Sequence, residues 1–397
     1  MSKILVLNNA KIISIKKIIN NGFLVIKDNL IFQINEGKYN YEFQDAQVIE
    51  CHNQTIIPGF IDLHVHGGYG YSLMDGTIES INNFAKLVPK EGVTKFCYAT
   101  VTASKKEIDN ILSVFAKYMK TENKGNKARI IGAYLEGPFI SELQKGAHTP
   151  SLLHVPDLNL VKSWNIISNK NLKFIVYAPE IDPNLNNKNS NFISSLIKNN
   201  IIPSVGHSNA TFKEITKTVE YGLTHITHLY NAMSPYNHRD PGVVPASLYY
   251  DQLVTELICD GIHVDIDILA ITYKIKGADG ICMITDAMSA KGQPDGKYLL
   301  GPLPVIKSNN KVTVEATGKL AGSIATMIAG FKNLLKITNN NWQDCIKMAS
   351  YNSAKQVGIA NKTGDIVIGK LADIIVLTKN NDIFLTICEG KIAYQQE

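Results

Sequence analysis

Residues 55–66 read Thr-Ile-Ile-Pro-Gly-Phe-Ile-Asp-Leu-His-Val-His, an apolar, β-prone run that ends in two imidazoles. Residues i and i+2 of a strand point to one side. His64 and His66 therefore share a face at the strand's C-terminal end. Seven further runs repeat the theme, over residues 94–100, 129–136, 173–179, 202–207, 225–231, 255–260 and 280–286. In most of the gaps, apolar residues recur at helical spacing, over 78–90, 105–120, 192–198, 212–221 and 266–273. Strand–helix alternation repeated about eight times predicts an α/β chain folded as a TIM-like (β/α)8 barrel. A doubly wound open sheet is the alternative. No GxGxxG follows the first strand, which weakens the dinucleotide-binding version of it.

Both ends of the chain are strand-rich. Residues 4–7, 11–15, 22–26 and 48–50 read as strands, as do 373–377, 382–387 and 391–394. The two ends are expected to pair into one small β-sandwich domain beside the barrel. The division is 1–56 and 361–397 for the small domain and 57–360 for the barrel. Residues 143–171 are long and irregular with one helix-like stretch, a lid or an insertion.

Composition narrows the function classes. The 397 residues are 45% hydrophobic, enough for one large and one small domain. Charged residues are 19%, and the net charge of +5 is spread along the chain, which reads as a solvated surface. Only Arg129 and Arg239 are arginines. Bidentate phosphate and base recognition favours Arg, so a nucleic-acid partner is not expected. The six cysteines are scattered with no CxxC pair, which predicts buried free thiols. Residues 1–17 lack the apolar core and cleavage site of a signal peptide, and no run of 18 apolar residues exists. A cytoplasmic protein without a membrane partner is expected.

Polar, metal-competent residues mark the strand ends. Glu136 closes the third run, His207 the fifth and Asp286 the eighth, while the sixth carries His225 and His228. Taken singly, each reads equally well as a surface carboxylate, a helix N-cap or a hydrogen-bonded histidine. His225 and His228 cannot face the same way on a regular strand, because their separation is odd. His228, nearer the end, is the one expected to point into the site. In a barrel, strand ends 1, 3, 5, 6 and 8 converge on one face. Such a His and carboxylate set suits zinc and iron(II) alike. A carboxylate beside metal-bound water can take its proton and return it to a leaving amine.

Residues 58–67, Pro-Gly-Phe-Ile-Asp-Leu-His-Val-His-Gly, resemble the first strand of the amidohydrolase superfamily. Four other segments are more specific: residues 134–139 (YLEGPF), 206–210 (GHSNA), 227–233 (THLYNAM) and 320–323 (LAGS), and residues 260–263 (DGIH) join them. Together they are similar to the N-acetylglucosamine-6-phosphate deacetylase family over nearly the whole chain. The resemblance implies that Glu136, His207 and His228 hold the principal metal and that His64 and His66 offer a second position. One or two divalent metals, zinc or iron(II), would then bind per subunit. It implies Asp286 as general base and acid, and His148 as a group that polarises the acetamide carbonyl. Asn231, Arg239, His263 and the backbone amide of Ala232 match contacts to an amino-sugar phosphate. In the implied homodimer, Arg239 reaches the neighbouring active site. Tyr351-Asn352-Ser353-Ala354 departs from the family by Ser in place of Pro, and residues 143–171 resemble it less. Two other readings compete. One is a cyclic-amide hydrolase or deaminase, in which a carbamylated lysine often bridges the metals. The other is a catalytically silent barrel, whose signature would be a lost ligand.

Overall fold

The computed structural model describes residues 3–397 except 41, 44 and 188–190. Met1, Ser2, Tyr41 and Gln44 of the expected terminal unit lie outside the described residues. Eight parallel strands form one sheet in chain order. They are β1 (Phe60–Val65), β2 (Val93–Thr100), β3 (Arg129–Leu135), β4 (Leu172–Tyr177), β5 (Ile202–Val205), β6 (His225–Ile226), β7 (Val254–Ile258) and β8 (Ile281–Ile284). A sheet wound in sequential order excludes the doubly wound alternative, in which the strand order reverses. Every residue of β1, β2 and β8 is buried, as expected for parallel strands covered on both faces. The sheet closes at its C-terminal mouth, where the Asp286 N–H donates to the His64 carbonyl at 2.9 Å and the His66 N–H to the Ala287 carbonyl at 2.8 Å.

The intervening helices begin where local chemistry starts them. Ser104 caps Lys105–Thr121 and Thr211 caps Phe212–Glu220, each in a capping box with Glu107 or Glu214. The helices Phe192–Lys198 and Ile266–Lys276 stand where apolar spacing places them.

Both chain ends do pair into a separate sheet. Its order is Lys391–Gln395, Ile383–Cys388, Ile374–Leu377, Thr55–Pro58, Ile4–Ile13, Ile18–Lys27, Leu30–Glu36, with Gln47–Glu50 also on Ile4–Ile13. The first expected run, 55–66, is thus cut in two at Gly59. Its first part joins the terminal sheet and its second opens the barrel. A Cβ on Gly59 would lie 2.3 Å from the Thr94 side chain, so only glycine lets the chain pass this close. Charged pairs tie sheet to barrel, with buried Lys95 3.1 Å from Asp373 and 2.9 Å from half-buried Glu389, and Arg129 Nε donating to Glu389 at 2.9 Å.

Two features depart from the sequence reading. The sixth strand has only two residues, His225–Ile226, instead of running to 231. After β8, an antiparallel sheet of Gly296–Leu300, Leu303–Ser308 and Lys311–Val314 stands at the barrel mouth. Its Val305, Val312 and Val314 pack with Val101, Met288 and Ala321. Residues 143–171 divide in function. Glu142 to Pro150 line the mouth, whereas the helix Leu158–Ile167 packs away from it, with Trp164 Nε1 donating to Asp109 at 3.0 Å.

Candidate active site

His64, His66, Glu136, His207, His228 and Asp286 each leave the C-terminal end of a barrel strand. His207, His228 and Asp286 sit two residues past β5, β6 and β8, and all three have positive φ, at 48°, 27° and 50°. A non-glycine residue in that region costs about 1–3 kcal/mol and persists only where its surroundings fix it. They do so here. His207 accepts the Ser141 N–H on its carbonyl at 2.9 Å, the His228 N–H donates to Glu256 at 3.2 Å, and the Ser323 N–H donates to the Asp286 carbonyl at 2.7 Å.

Glu136 lies at the centre. Its Oε1 is 2.9 Å from His228 Nε2, 3.1 Å from His207 Nε2 and 3.5 Å from His64 Nε2. Its Oε2 is 3.2 Å from His66 Nε2 and 3.4 Å from His148 Nε2. Asp286 Oδ1 stands 3.1 Å from His66 Nε2 and 3.6 Å from His64 Nε2. All seven side chains are buried. His207 Nε2 and His228 Nε2 are 3.1 Å apart. Donors bound about 2.0–2.1 Å from one ion stand about 3 Å from each other, so this spacing fits two ligands of a single cation. His64 Nε2 is buried and makes no hydrogen bond. Two groups of donors are each within reach of one ion: His64, His66 and Asp286, and Glu136, His148 and His207. Imidazole and carboxylate together fit a divalent metal such as zinc or iron(II).

Without an ion, protons and charges compensate each other. Burial pushes the Glu136 carboxyl up, but His64 and His207 outweigh it and hold it well below the usual range. Burial likewise opposes the charge on His66, and hydrogen bonds to Asp286 and Glu136 overcome it, raising the ring to about 10. Asp286 is driven up by burial and held down more strongly by His66 and His64, for a net lowering.

The remaining expected residues are placed as follows. His148 Nδ1 accepts the Thr102 N–H at 3.2 Å and lies 2.7 Å from the Thr102 hydroxyl. A backbone N–H only donates, so Nδ1 is bare and the proton sits on Nε2, facing the site. Asn231, Ala232 and His263 line the same cavity, of about 690 Å³, as His66, Glu136, His148, His207, His228 and Asp286. His263 is gripped by Asp260, which accepts from its Nδ1 at 2.7 Å. Arg239 stands apart. It is exposed, and only its backbone is fixed, its N–H donating to Asn237 at 2.9 Å. His225 turns away from Glu136 and meets Glu256 at 3.0 Å.

Sequence reasoning gave no role to Glu256, Thr102 or Asp260, although Asp260 opens the segment 260–263. Glu256 carried a signal, as the one carboxylate inside the apolar run Val254–Ile258, because a buried charge must be partnered. Thr102 carried none. Its role comes from a loop conformation.

The sequence from residue 55 to residue 393 matches the Amidohydrolase family, and the chain belongs to it. Within that family it sides with the N-acetylglucosamine-6-phosphate deacetylases. The enzyme of that name from Bacillus subtilis (strain 168) is 34% identical over 99% of this chain and 98% of its own length. That from Lysinibacillus sphaericus is 36% identical over 93% and 92%. A mutant of the Mycobacterium smegmatis enzyme, solved in complex with N-acetyl-D-glucosamine 6-phosphate, has 26% identity and a TM-score of 0.89 over 99% of this chain and 100% of that one.

Proposed function

We propose that this chain hydrolyses the acetamide of N-acetyl-D-glucosamine 6-phosphate to D-glucosamine 6-phosphate and acetate. The observation that carries the reading is the convergence of His64, His66, Glu136, His207, His228 and Asp286 at one barrel mouth, in a chain whose relatives carry that name. Glu136, His207 and His228 would hold the principal metal and His64 and His66 a second one; when bound, zinc or iron(II) supplies Lewis acidity and a water made acidic enough to react near neutrality.

The chain's own groups do the rest. Asp286 is ionised at neutral pH and faces the cavity, placed to take a proton from the attacking water and to return it to the departing amine nitrogen. His148 Nε2–H is placed to donate to the oxyanion that develops on the acetamide carbonyl. Asn231, the Ala232 amide and His263 would hold the sugar phosphate. Glu136 fills the central place that a carbamylated lysine takes in cyclic-amide hydrolases, which supports the acetamide reading over that one. No ligand position is lost, which speaks against a silent barrel.

A homodimer completes the proposal. The helix Ile266–Lys276 exposes Ile268, Ile271 and Ile275 at one-face spacing, an apolar stripe suited to a second copy. Arg239, exposed and outside its own cavity, would then serve the neighbour's phosphate as a planar fork. Among the described residues no helix is long and apolar enough to cross a membrane, and the six buried cysteines are free. Both accord with a cytoplasmic enzyme.

The test is acetate release from N-acetylglucosamine 6-phosphate and from unphosphorylated N-acetylglucosamine, with zinc and iron(II) supplied separately. Release from the phosphate ester alone, abolished in Asp286→Asn, is the expected result. No release from folded, metal-loaded protein would sink the proposal.

A further inference from the structure

Glu256 lies in the middle of β7, wholly buried, with each oxygen facing a histidine, one in the site and one beside it. His64 Nδ1 is 3.1 Å from Oε2, and His225 Nε2 is 3.0 Å from Oε1. The backbone N–H of His228 donates to Oε2 at 3.2 Å, and the Tyr134 hydroxyl donates to the same oxygen at 3.4 Å. An ionised carboxylate only accepts, so each nitrogen facing it must carry a proton. Once the ring gives up a proton to bind a cation, the one on Nδ1 stays with Glu256, which makes neutral His64 the Nδ1–H tautomer. In that form its Nε2 lone pair is bare and points at the gap between Glu136 and Asp286, 3.5 and 3.6 Å away.

A bare Nε2 with the opposite nitrogen hydrogen-bonded to a carboxylate is the form in which imidazole binds a cation, and the carboxylate also raises its basicity. The same Oε2 that sets His64 also holds the backbone of His228, whose φ of 27° requires such an anchor. His225 completes the device. By occupying Oε1 it stops the carboxylate from turning, which gives the buried imidazole off the metal cluster a purpose.

We infer that Glu256 is a positioning residue that holds His64 in its metal-binding form and fixes His228, so that one carboxylate beneath the site organises a ligand of each metal position. This rests on the reading that the barrel mouth binds divalent metal.

The test is metal content and affinity, measured by elemental analysis and by competition with a chromophoric zinc chelator. Wild type, Glu256→Leu and Glu256→Gln would be compared. Removing such a partner typically costs 10- to 100-fold in metal affinity. Glu256→Leu should lose the weaker of two zinc equivalents by that factor, and Glu256→Gln, whose amide oxygen can still accept from His64, should stay within a few-fold of wild type. A purely structural Glu256 would lower the melting temperature of both variants and leave both zinc affinities alone, which would overturn the inference. Should the leucine variant fail to fold, nitrogen-15 spectra of histidine-labelled wild type decide. Zinc must shift His64 Nε2 while Nδ1 keeps its proton, and the reverse pattern overturns the inference. A wild type that binds no zinc at all would instead overturn the metal reading beneath it.

Discussion

Replacing His148 with asparagine separates two jobs that its position permits. Its Nε2 lies 3.4 Å from Glu136 and close enough to His207 to share an ion, so geometry alone would admit it as a ligand. The Thr102 N–H, 3.2 Å from Nδ1, argues otherwise, because it leaves the proton on Nε2, and a protonated nitrogen cannot ligate. Burial pushes the ring down to about 4, so it is neutral throughout the neutral range and donates one N–H into the site. Loss of a single preorganised oxyanion donor costs about 10²–10³ in kcat, or about 2.7–4 kcal/mol. The expected result is therefore a fall of that size in acetate release, with metal content unchanged. The two are read on the same preparation, by coupled acetate assay and elemental analysis. Thr102→Val, which keeps the backbone N–H and loses only the hydroxyl at 2.7 Å, should cost less than about tenfold. Loss of one metal equivalent in His148→Asn would refute the tautomer argument, and so would a kcat within threefold of wild type.

Three other outcomes are expected. Burial opposes the charge on His263, but the Asp260 carboxylate overcomes it and raises the ring, so the imidazolium persists below that raised value and is lost as pH climbs through it. KM for the phosphorylated substrate should rise across that window, and Asp260→Asn should move the rise to lower pH; a KM flat in pH would count against a charged His263. Dialysis against a chelator should abolish activity and lower the melting temperature, with zinc or iron(II) restoring both. Restoration should be weaker at pH 6 than at pH 8, because His66, raised to about 10, must give up its proton to bind. Arg129→Met should destabilise the fold in chemical denaturation by well under the about 3–5 kcal/mol of a broken buried pair, since Glu389 is partly exposed and Lys95 still holds it at 2.9 Å. An unchanged midpoint would show that the Arg129 pair adds nothing to the docking that Lys95 and apolar packing provide.

The barrel was legible because burial on both faces writes each strand as an apolar run, and because the mouth is where those runs turn polar. Helices with a one-sided stripe, such as Phe192–Lys198, could be bounded from spacing alone. The sheet 296–314 was not read, since its strands alternate weakly and carry exposed residues such as Leu299. The end of the sixth strand was missed because Thr227 to Ala232 leave regular geometry, with His228, Tyr230 and Ala232 all at positive φ, in a segment whose residues look β-prone. The site divides along the same line. Residues that aim at the cavity announce themselves by type and by place on a strand. Residues that set a tautomer are harder: the apolar run around Glu256 marks it as a partnered charge without naming its partner, and the contact of Thr102 is a distance that no spacing encodes.

The barrel closes through the same backbone that carries the cluster: the Asp286 N–H donates to the His64 carbonyl, and the His66 N–H donates to the Ala287 carbonyl. Opening the sheet between its first and last strands therefore means pulling Asp286 away from His64 and His66, groups close enough together to hold one ion. Bound cation should act as a clasp on that join, so the amides of His66 and Asp286 should exchange with solvent only as fast as metal leaves. Release of the ion and fraying of the barrel would then be one event, and metal supply would set how long the folded chain survives.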